Sequence, residues 1–420
     1  MNIRKKIEKV DIRRNLLKLI IWTHLFAWVI NLPLTQIQMM IFGRKIITLY
    51  HLGIIECMLI IALVMFSKNI YYDKIIQSTI GLTCVLVFIG LIGMIINNVE
   101  LYWIIYYLIY WIVPFIVIII SKQVKLDIYK FNKVLLVIVA LHCLVIYIQR
   151  FTNSIWWPFV NDEYGNKIFY ISEGYYNTID RMVRCPGICI SGLDAGILLL
   201  FGCVLIYFMK FKKKVIKYIW YVFFLLGVWF TGTRNIYFVM LYMIIYVYIM
   251  KITPKKLRPL FGNIYMIICT VIYTLTFFIL GKHYTSATRN ILTDTLSTKM
   301  RIDNWSKVFD MIKEGSILQK FFGQFKWQNN IGNIVIDNIY LELILFCGIL
   351  GLIAFCTYII FIHTQLIKVC DEKCNLLIAF ISSLMIYGVG NALGNIYISL
   401  IAVCILIFYN SMNFEVRSNK

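Results

Sequence analysis

Between residues 75 and 97 the chain carries no charged side chain, and the runs 101–121, 260–281, 375–389 and 396–410 are equally free of charge. A run of about 20 apolar residues in helical form matches the ~30 Å hydrocarbon thickness of a bilayer. It also satisfies every backbone polar group internally, which lipid demands. Twelve such runs can be laid out: 16–41, 46–66, 75–97, 101–121, 131–149, 188–209, 216–231, 235–252, 260–281, 338–362, 375–389 and 396–410. Hydrophobic residues make up 61% of the 420 and charged residues only 15%, against roughly half and a quarter in an ordinary globular chain. No soluble catalytic domain of ordinary size fits in what remains. The expected fold is an all-α polytopic integral membrane protein, one transmembrane domain over residues 1–420.

The net charge of +21 would point to nucleic acid in a soluble protein. Here it reads as lysines and arginines that orient helices against an anionic cytoplasmic leaflet, so no nucleic-acid partner is expected. With the N-terminus inside, the cytoplasmic segments hold 26 of the 41 Lys and Arg. The short outward loops hold three, Arg44, Lys45 and Arg234, and the other twelve lie in two long outward segments, 150–187 and 282–337. That bias places both termini in the cytoplasm and the two large loops outside. The apolar run after the basic first 18 residues is too long for a signal-peptide core and lacks a small-residue cleavage site, so it reads as a permanent span.

The twelve cysteines are scattered through apolar runs without a CxxC pair, and the five histidines show no ligand-like spacing. Neither a metal site nor a cofactor is expected. The outer loops are rich in aromatics, including Trp156, Trp157 and Tyr164 in the first. These aromatics either stack on sugar faces or pack the loop on the membrane. In the second loop, residues 300–314 read as an amphipathic helix with Ile302, Trp305, Val308, Phe309 and Ile312 along one face.

Charges at a membrane edge are costly and tend to face a partner or a cavity. Arg234, in Thr231-Gly232-Thr233-Arg234-Asn235, has two readings: a guanidinium fork for a phosphate or diphosphate, or an anchor snorkelling to headgroups. The same pair of readings holds for Arg181 and Arg184, just before Cys185-Pro186-Gly187. Asp194 lies about two turns into the sixth span. Glu56 lies midway through the second, either as a charged partner for another polar side chain or as a neutral hydrogen-bond donor between helices. Arg301 precedes Trp305, and Asp337-Asn338-Ile339-Tyr340-Leu341-Glu342 opens the tenth span. There Asp337 is either a general base with a raised pKa or, like Asn338, a helix cap.

Taken in order, these elements resemble the Wzy/O-antigen ligase superfamily of polysaccharide polymerases and ligases. Arg181 to Gly192 matches the Arg-x10-Gly spacing of that family's first large outer loop. Thr231-Gly232-Thr233-Arg234 resembles its small-residue/Arg motif between two short helices. Arg301, Trp305, Gly323, Asp337-Asn338-x-Tyr340-Leu341 and Gly348-Ile349-Leu350-Gly351-Leu352 follow the order found across its second loop and next helix. The second loop here has no Arg-x10-Gly, and Asp337 stands where ligases tend to have His, which favours a polymerase over a ligase.

The resemblance implies metal-independent transfer of a growing glycan from undecaprenyl diphosphate to a sugar hydroxyl of another lipid-linked repeat unit. It implies a bacterial cytoplasmic (inner) membrane location, with a flippase and a chain-length regulator as partners alongside membrane lipids. Arg181, Arg184, Arg234 and Arg301 would meet the diphosphates. Asp337 would be the base, with Asp194, Tyr340 and Glu342 orienting groups around it, and Trp156 and Trp157 would contact sugars. A lipid-linked oligosaccharide flippase is the rival from another class.

Overall fold

Apolar residues on every face, rather than on one stripe, belong to helices enclosed by other helices or by lipid, and both kinds occur here. The computed structural model describes residues 2–25, 38, 41–43, 46–47, 49–66, 73–123, 127–153, 159–161, 167–169, 185–189, 192–282, 296–325, 336, 338–369, 374–390 and 397–418. In chain order the helices are α1 (Asn2–Leu25), α2 (Leu49–Phe66), α3 (Lys74–Asn97) and α4. The last runs through Leu101–Tyr107, a π-helical turn at Leu108–Ile112, and Val113–Ser121. The wide turn ends two residues before Pro114, whose ring has no N–H and would crowd the preceding turn of a regular helix. After α5 (Ile128–Thr152), two three-residue strands, β1 (Phe159–Asn161) and β2 (Lys167–Phe169), form an antiparallel hairpin inside the first long loop. Apart from that six-residue hairpin the described elements are all helical, as expected. Then come α6 (Gly192–Phe208), α7 (Lys214–Phe230), α8 (Arg234–Ile252), α9 (Arg258–Lys282), α10 (Leu296–Glu314), α11 (Ile317–Phe322), α12 (Ile339–Val369), α13 (Asn375–Tyr387) and α14 (Tyr397–Ser418).

Among the described residues six helical stretches are long and apolar enough to cross a membrane: Lys74–Asn97, Trp103–Ser121, Tyr129–Thr152, Arg234–Ile252, Arg258–Ile279 and Ile339–Val369. Their outward faces carry large exposed apolar side chains, such as Val134, Leu141 and Ile148 on α5 and Leu260, Ile264 and Ile272 on α9. A water-soluble surface does not leave such continuous apolar area uncovered. The chain is a membrane-embedded, multi-pass helical protein. Shorter apolar helices fill its centre. Almost every residue of α6 is buried, as is α13 from Leu377 onward and α14 from Ile398 to Asn410.

Several boundaries differ from those read in the sequence. Helix α1 begins at Asn2, well before the apolar run at 16, and most of that run beyond Leu25 lies outside the described residues. Helix α14 continues past 410 to Ser418. Among its described residues the segment 282–337 contains two helices, with α10 starting at Leu296 rather than 300.

The largest departure is in the tenth expected span. Helix α12 is interrupted at Gly348 (φ 69°, ψ −175°). A half-helix, 339–347, therefore precedes residues 349–369, which at 1.5 Å per residue rise about 31 Å and suffice alone to cross a bilayer. The break is filled by the end of α11. A Cβ on Gly348 would lie 2.2 Å from the Phe321 carbonyl oxygen, and one on Gly323 (φ 92°) would lie 2.1 Å from the Phe346 carbonyl oxygen. Only glycine permits both the left-handed backbone and this approach. The Gln324 N–H then donates to the Leu345 carbonyl at 2.7 Å, supplying a carbonyl that the interrupted helix leaves without its own donor.

Candidate functional site

The turn between α7 and α8 sets the site's position. Gly232 takes φ 63°, Thr231 Oγ1 donates to the Val228 carbonyl at 2.7 Å, and Thr233 Oγ1 donates to the Thr231 carbonyl at 3.2 Å. Thr233 is the N-cap, so Arg234 opens α8. Against this turn lies the start of α6: a Cβ on Gly192 would meet Thr233 Oγ1 at 2.6 Å and the Thr231 carbonyl oxygen at 3.0 Å. The glycine of the Arg181-x10-Gly192 spacing and the Thr-Gly-Thr-Arg turn are therefore neighbours.

From Arg234 the polar contacts run inward. Asn235 is 4% exposed, and its Nδ2 donates to the Tyr387 carbonyl at 3.3 Å. Its Oδ1 has no hydrogen-bond partner among the described residues. The Tyr387 hydroxyl donates to Asp194 Oδ1 at 2.9 Å, and Asp194 is 3% exposed. The glycines after Tyr387 form a 3₁₀ turn, Gly388–Gly390. A Cβ on Gly390 would meet Asn235 Nδ2 at 2.6 Å and Phe277 Cζ at 3.7 Å. From the other side Asn338 Nδ2 donates to the Val389 carbonyl at 3.3 Å.

Arg301 arrives from α10. Its guanidinium carbon stands 5.9 Å from the Phe277 ring centroid, within cation–π range. One turn further along, Trp305 is buried against Phe277 and Phe278, with centroids 5.9 and 5.6 Å away. Phe277 links Arg301 to the turn before α8, since a Cβ on Gly390 would meet both Phe277 and Asn235, the residue after Arg234. Two of the three catalytic candidates, far apart in sequence, thus share one end of the bundle.

Of the remaining candidates, Tyr340 donates its hydroxyl to the Met385 carbonyl at 2.8 Å, which ties the half-helix to α13. Asn338 Oδ1 accepts from the Tyr340 and Leu341 N–H groups at 3.0 and 3.1 Å, so Asn338 caps α12. Glu342 is fully buried on the same half-helix, and its N–H donates to the Asn338 carbonyl. Asp337, Arg181, Arg184, Trp156 and Trp157 lie outside the described residues. Among the described residues no group of three His, Cys, Asp or Glu side chains is placed to hold a metal ion.

One turn along from Arg301, Trp305 lines a cavity of about 350 Å³ between α9, α10 and the start of α12. Its walls are mostly apolar, with Phe278, Phe309 and Leu341 among them, and Thr270, Thr274 and Asn338 supply polar groups. Val271 and Leu275, which also line it, are 51% and 53% exposed. The cavity therefore opens on the apolar outer face of α9.

Asn235, Tyr387 and the 388–390 turn were not singled out as site residues from the sequence. Asn235 had a signal, an amide at the head of an apolar run beside Arg234, and the Gly-Val-Gly break beside Tyr387 was visible as a discontinuity. No protein-family model matches this chain, and no curated protein and no solved structure matches it either.

Proposed function

We propose that this chain polymerises undecaprenyl-diphosphate-linked oligosaccharide repeat units at the outer face of a bacterial cytoplasmic membrane, for O antigen, capsule or a related cell-envelope glycan. Twelve spans with cytoplasmic termini belong to this reading. The observation that carries it is the convergence of Arg301, which stands over the Phe277 ring, and the Arg234–Asn235 turn, which meets Phe277 around Gly390, with an apolar cavity lined by Trp305 that opens on the lipid-facing side. A lipid diphosphate needs both parts: permanent cations with fixed donor geometry for the diphosphate, and an apolar groove for the hydrocarbon chain.

In the proposed reaction the anomeric carbon–oxygen bond of the donor breaks and the electron pair leaves with the diphosphate. The arginines stabilise that charge. The acceptor hydroxyl forms the new glycosidic bond as its proton passes to a base, for which Asp337 is the candidate. Asp194, held by Tyr387, orients groups at the inner end of the site.

The transporter alternative calls for charged side chains lining a passage through the depth of the bundle. Inward of Asp194 the polar groups between α8, α9, α12 and α13 are instead bonded to one another. Tyr242 donates to Ser382 at 3.0 Å, while His363 is 2.6 Å from both the Tyr246 hydroxyl and Asn263 Oδ1. This pattern is a sealed seam and supports chemistry at one face. The test is the purified protein with synthetic undecaprenyl-diphosphate repeat units in EDTA. A ladder of longer lipid-linked glycans is expected. Absence of a ladder with the native repeat unit, together with its translocation across vesicles, would replace the polymerase with a transporter.

A further inference from the structure

Non-helical backbone at the edge of a hydrocarbon layer has to be shielded, because an unpaired amide there has no water to turn to. The break at Gly348 is such a place, and α11 covers it through the Phe321–Gly348 backbone contact and the Gln324–Leu345 hydrogen bond. The level of α11 is fixed by the end of α3. Gln319 Nε2 donates to Asn97 Oδ1 at 2.9 Å, and a Cβ on Gly93 would meet the Phe322 carbonyl oxygen at 3.3 Å.

The side chains that α11 turns outward are apolar: Ile317 is 73% exposed, Leu318 55% and Phe321 45%. A shield facing water would carry polar groups on that side. At the same level α3 exposes Ile95, the end of a stripe that begins with Val85, Phe88 and Leu91, and α4 opens with exposed Leu101. The apolar belt that α3 presents to lipid thus reaches the level of α11. Lys320, partly exposed on the same short helix, is long enough to reach headgroup phosphates.

We propose that α11 is a membrane-docking element. Ile317, Leu318 and Phe321 enter the headgroup–acyl boundary of the leaflet at which α3 ends, and lipid covers the broken turn of α12 from outside. This rests on the membrane-embedded fold and not on glycosyl transfer. It makes the lipid surface and the half-helix carrying Asn338, Tyr340 and Glu342 share one joint.

The test uses the full chain in proteoliposomes, with the fluorescence added by Ile317→Trp or Leu318→Trp read as a difference from the parent protein. Both positions are exposed enough that the larger ring displaces no packing. Phosphatidylcholine brominated at shallow acyl positions is expected to quench the added signal several-fold more than aqueous iodide. A Lys313→Trp control on the exposed polar side of α10 should show the reverse order. Stronger quenching by iodide at 317 and 318 would place α11 in water and overturn the proposal. Protection from both quenchers would overturn it too, by showing a protein surface, such as a second copy of the chain, on this patch.

Discussion

The Tyr387 hydroxyl donates a 2.9 Å hydrogen bond to Asp194 Oδ1, joining the end of α13 to the first turn of α6 at a point buried from every side. The same tyrosine's carbonyl accepts from Asn235 on α8. Tyr387→Phe keeps the ring and removes only the donor, leaving a buried carboxyl one bond short. That deficit costs about 1–3 kcal/mol. A lower unfolding midpoint in detergent and slower ladder formation are expected. An unchanged midpoint would mean that the bond contributes nothing.

In the proposed mechanism Arg234→Ala and Arg301→Ala would each remove a fixed donor from the developing diphosphate charge. Single oxyanion-type donors are worth about a hundred- to a thousand-fold in rate, and loss on that scale is expected in the lipid-linked ladder assay. Lysine at either position keeps the charge and loses the fork, so intermediate rates are expected. Either alanine variant inserting normally and polymerising at the wild-type rate would remove the centre of the mechanism.

At the opposite end of α3, Asp73 caps the helix by accepting from the Ile76 N–H at 2.9 Å, pairs with Lys122 at 2.9 Å, and accepts the Tyr409 hydroxyl. Partial burial pushes its carboxyl up, but the Ile76, Lys122 and Tyr409 hydrogen bonds outweigh this and hold it below its usual value of 3.8. A carboxylate depressed in the folded state contributes stability that is full above its unfolded pKa and fades as pH falls through the folded one. The melting difference between wild type and Asp73→Asn should therefore be constant from neutral pH down to about 5 and close below about pH 4. A difference that stays unchanged between pH 5 and pH 3 would assign the effect to packing.

Gly348→Ala and Gly323→Ala each place a Cβ into opposing backbone at a positive φ. Strain of this kind costs about 1–3 kcal/mol before the clash is counted, so both variants should melt markedly lower. Because each glycine abuts the other's segment, the double variant should lose less than the sum of the two. Gly81→Ala on α3, where nothing stands within 4 Å, should be neutral or slightly stabilising.

The helices were legible in the sequence because uninterrupted apolar runs have few alternatives. The turn before Arg234 was legible because glycine, hydroxyls and a charge coincide there. The break in α12 was not, since Gly348 and Gly351 in an apolar run look like any close-packing pair. What turns Gly348 left-handed is the backbone of Phe321, 27 residues earlier in the chain. Asn235 and Tyr387 were missed for a similar reason: they meet across 152 residues, and neutral groups lack the energetic cost that makes a charge in an apolar run conspicuous. The amphipathic stretch at 300–314 was recognised by its period, while α11 is too short to have one.

Helices α6 and α13 sit inside a ring of neighbours, and at 17 and 13 residues they measure about 25 and 20 Å. Hydrophobic mismatch is therefore felt by the ring alone, whose members can tilt or recruit thicker lipid. The central pair, touching only protein, is insulated from such adjustments. Asp194 and Tyr387 are thereby held at one depth and spacing in membranes of different thickness, and growth conditions that remodel the bilayer would act on the ring before they reach this pair.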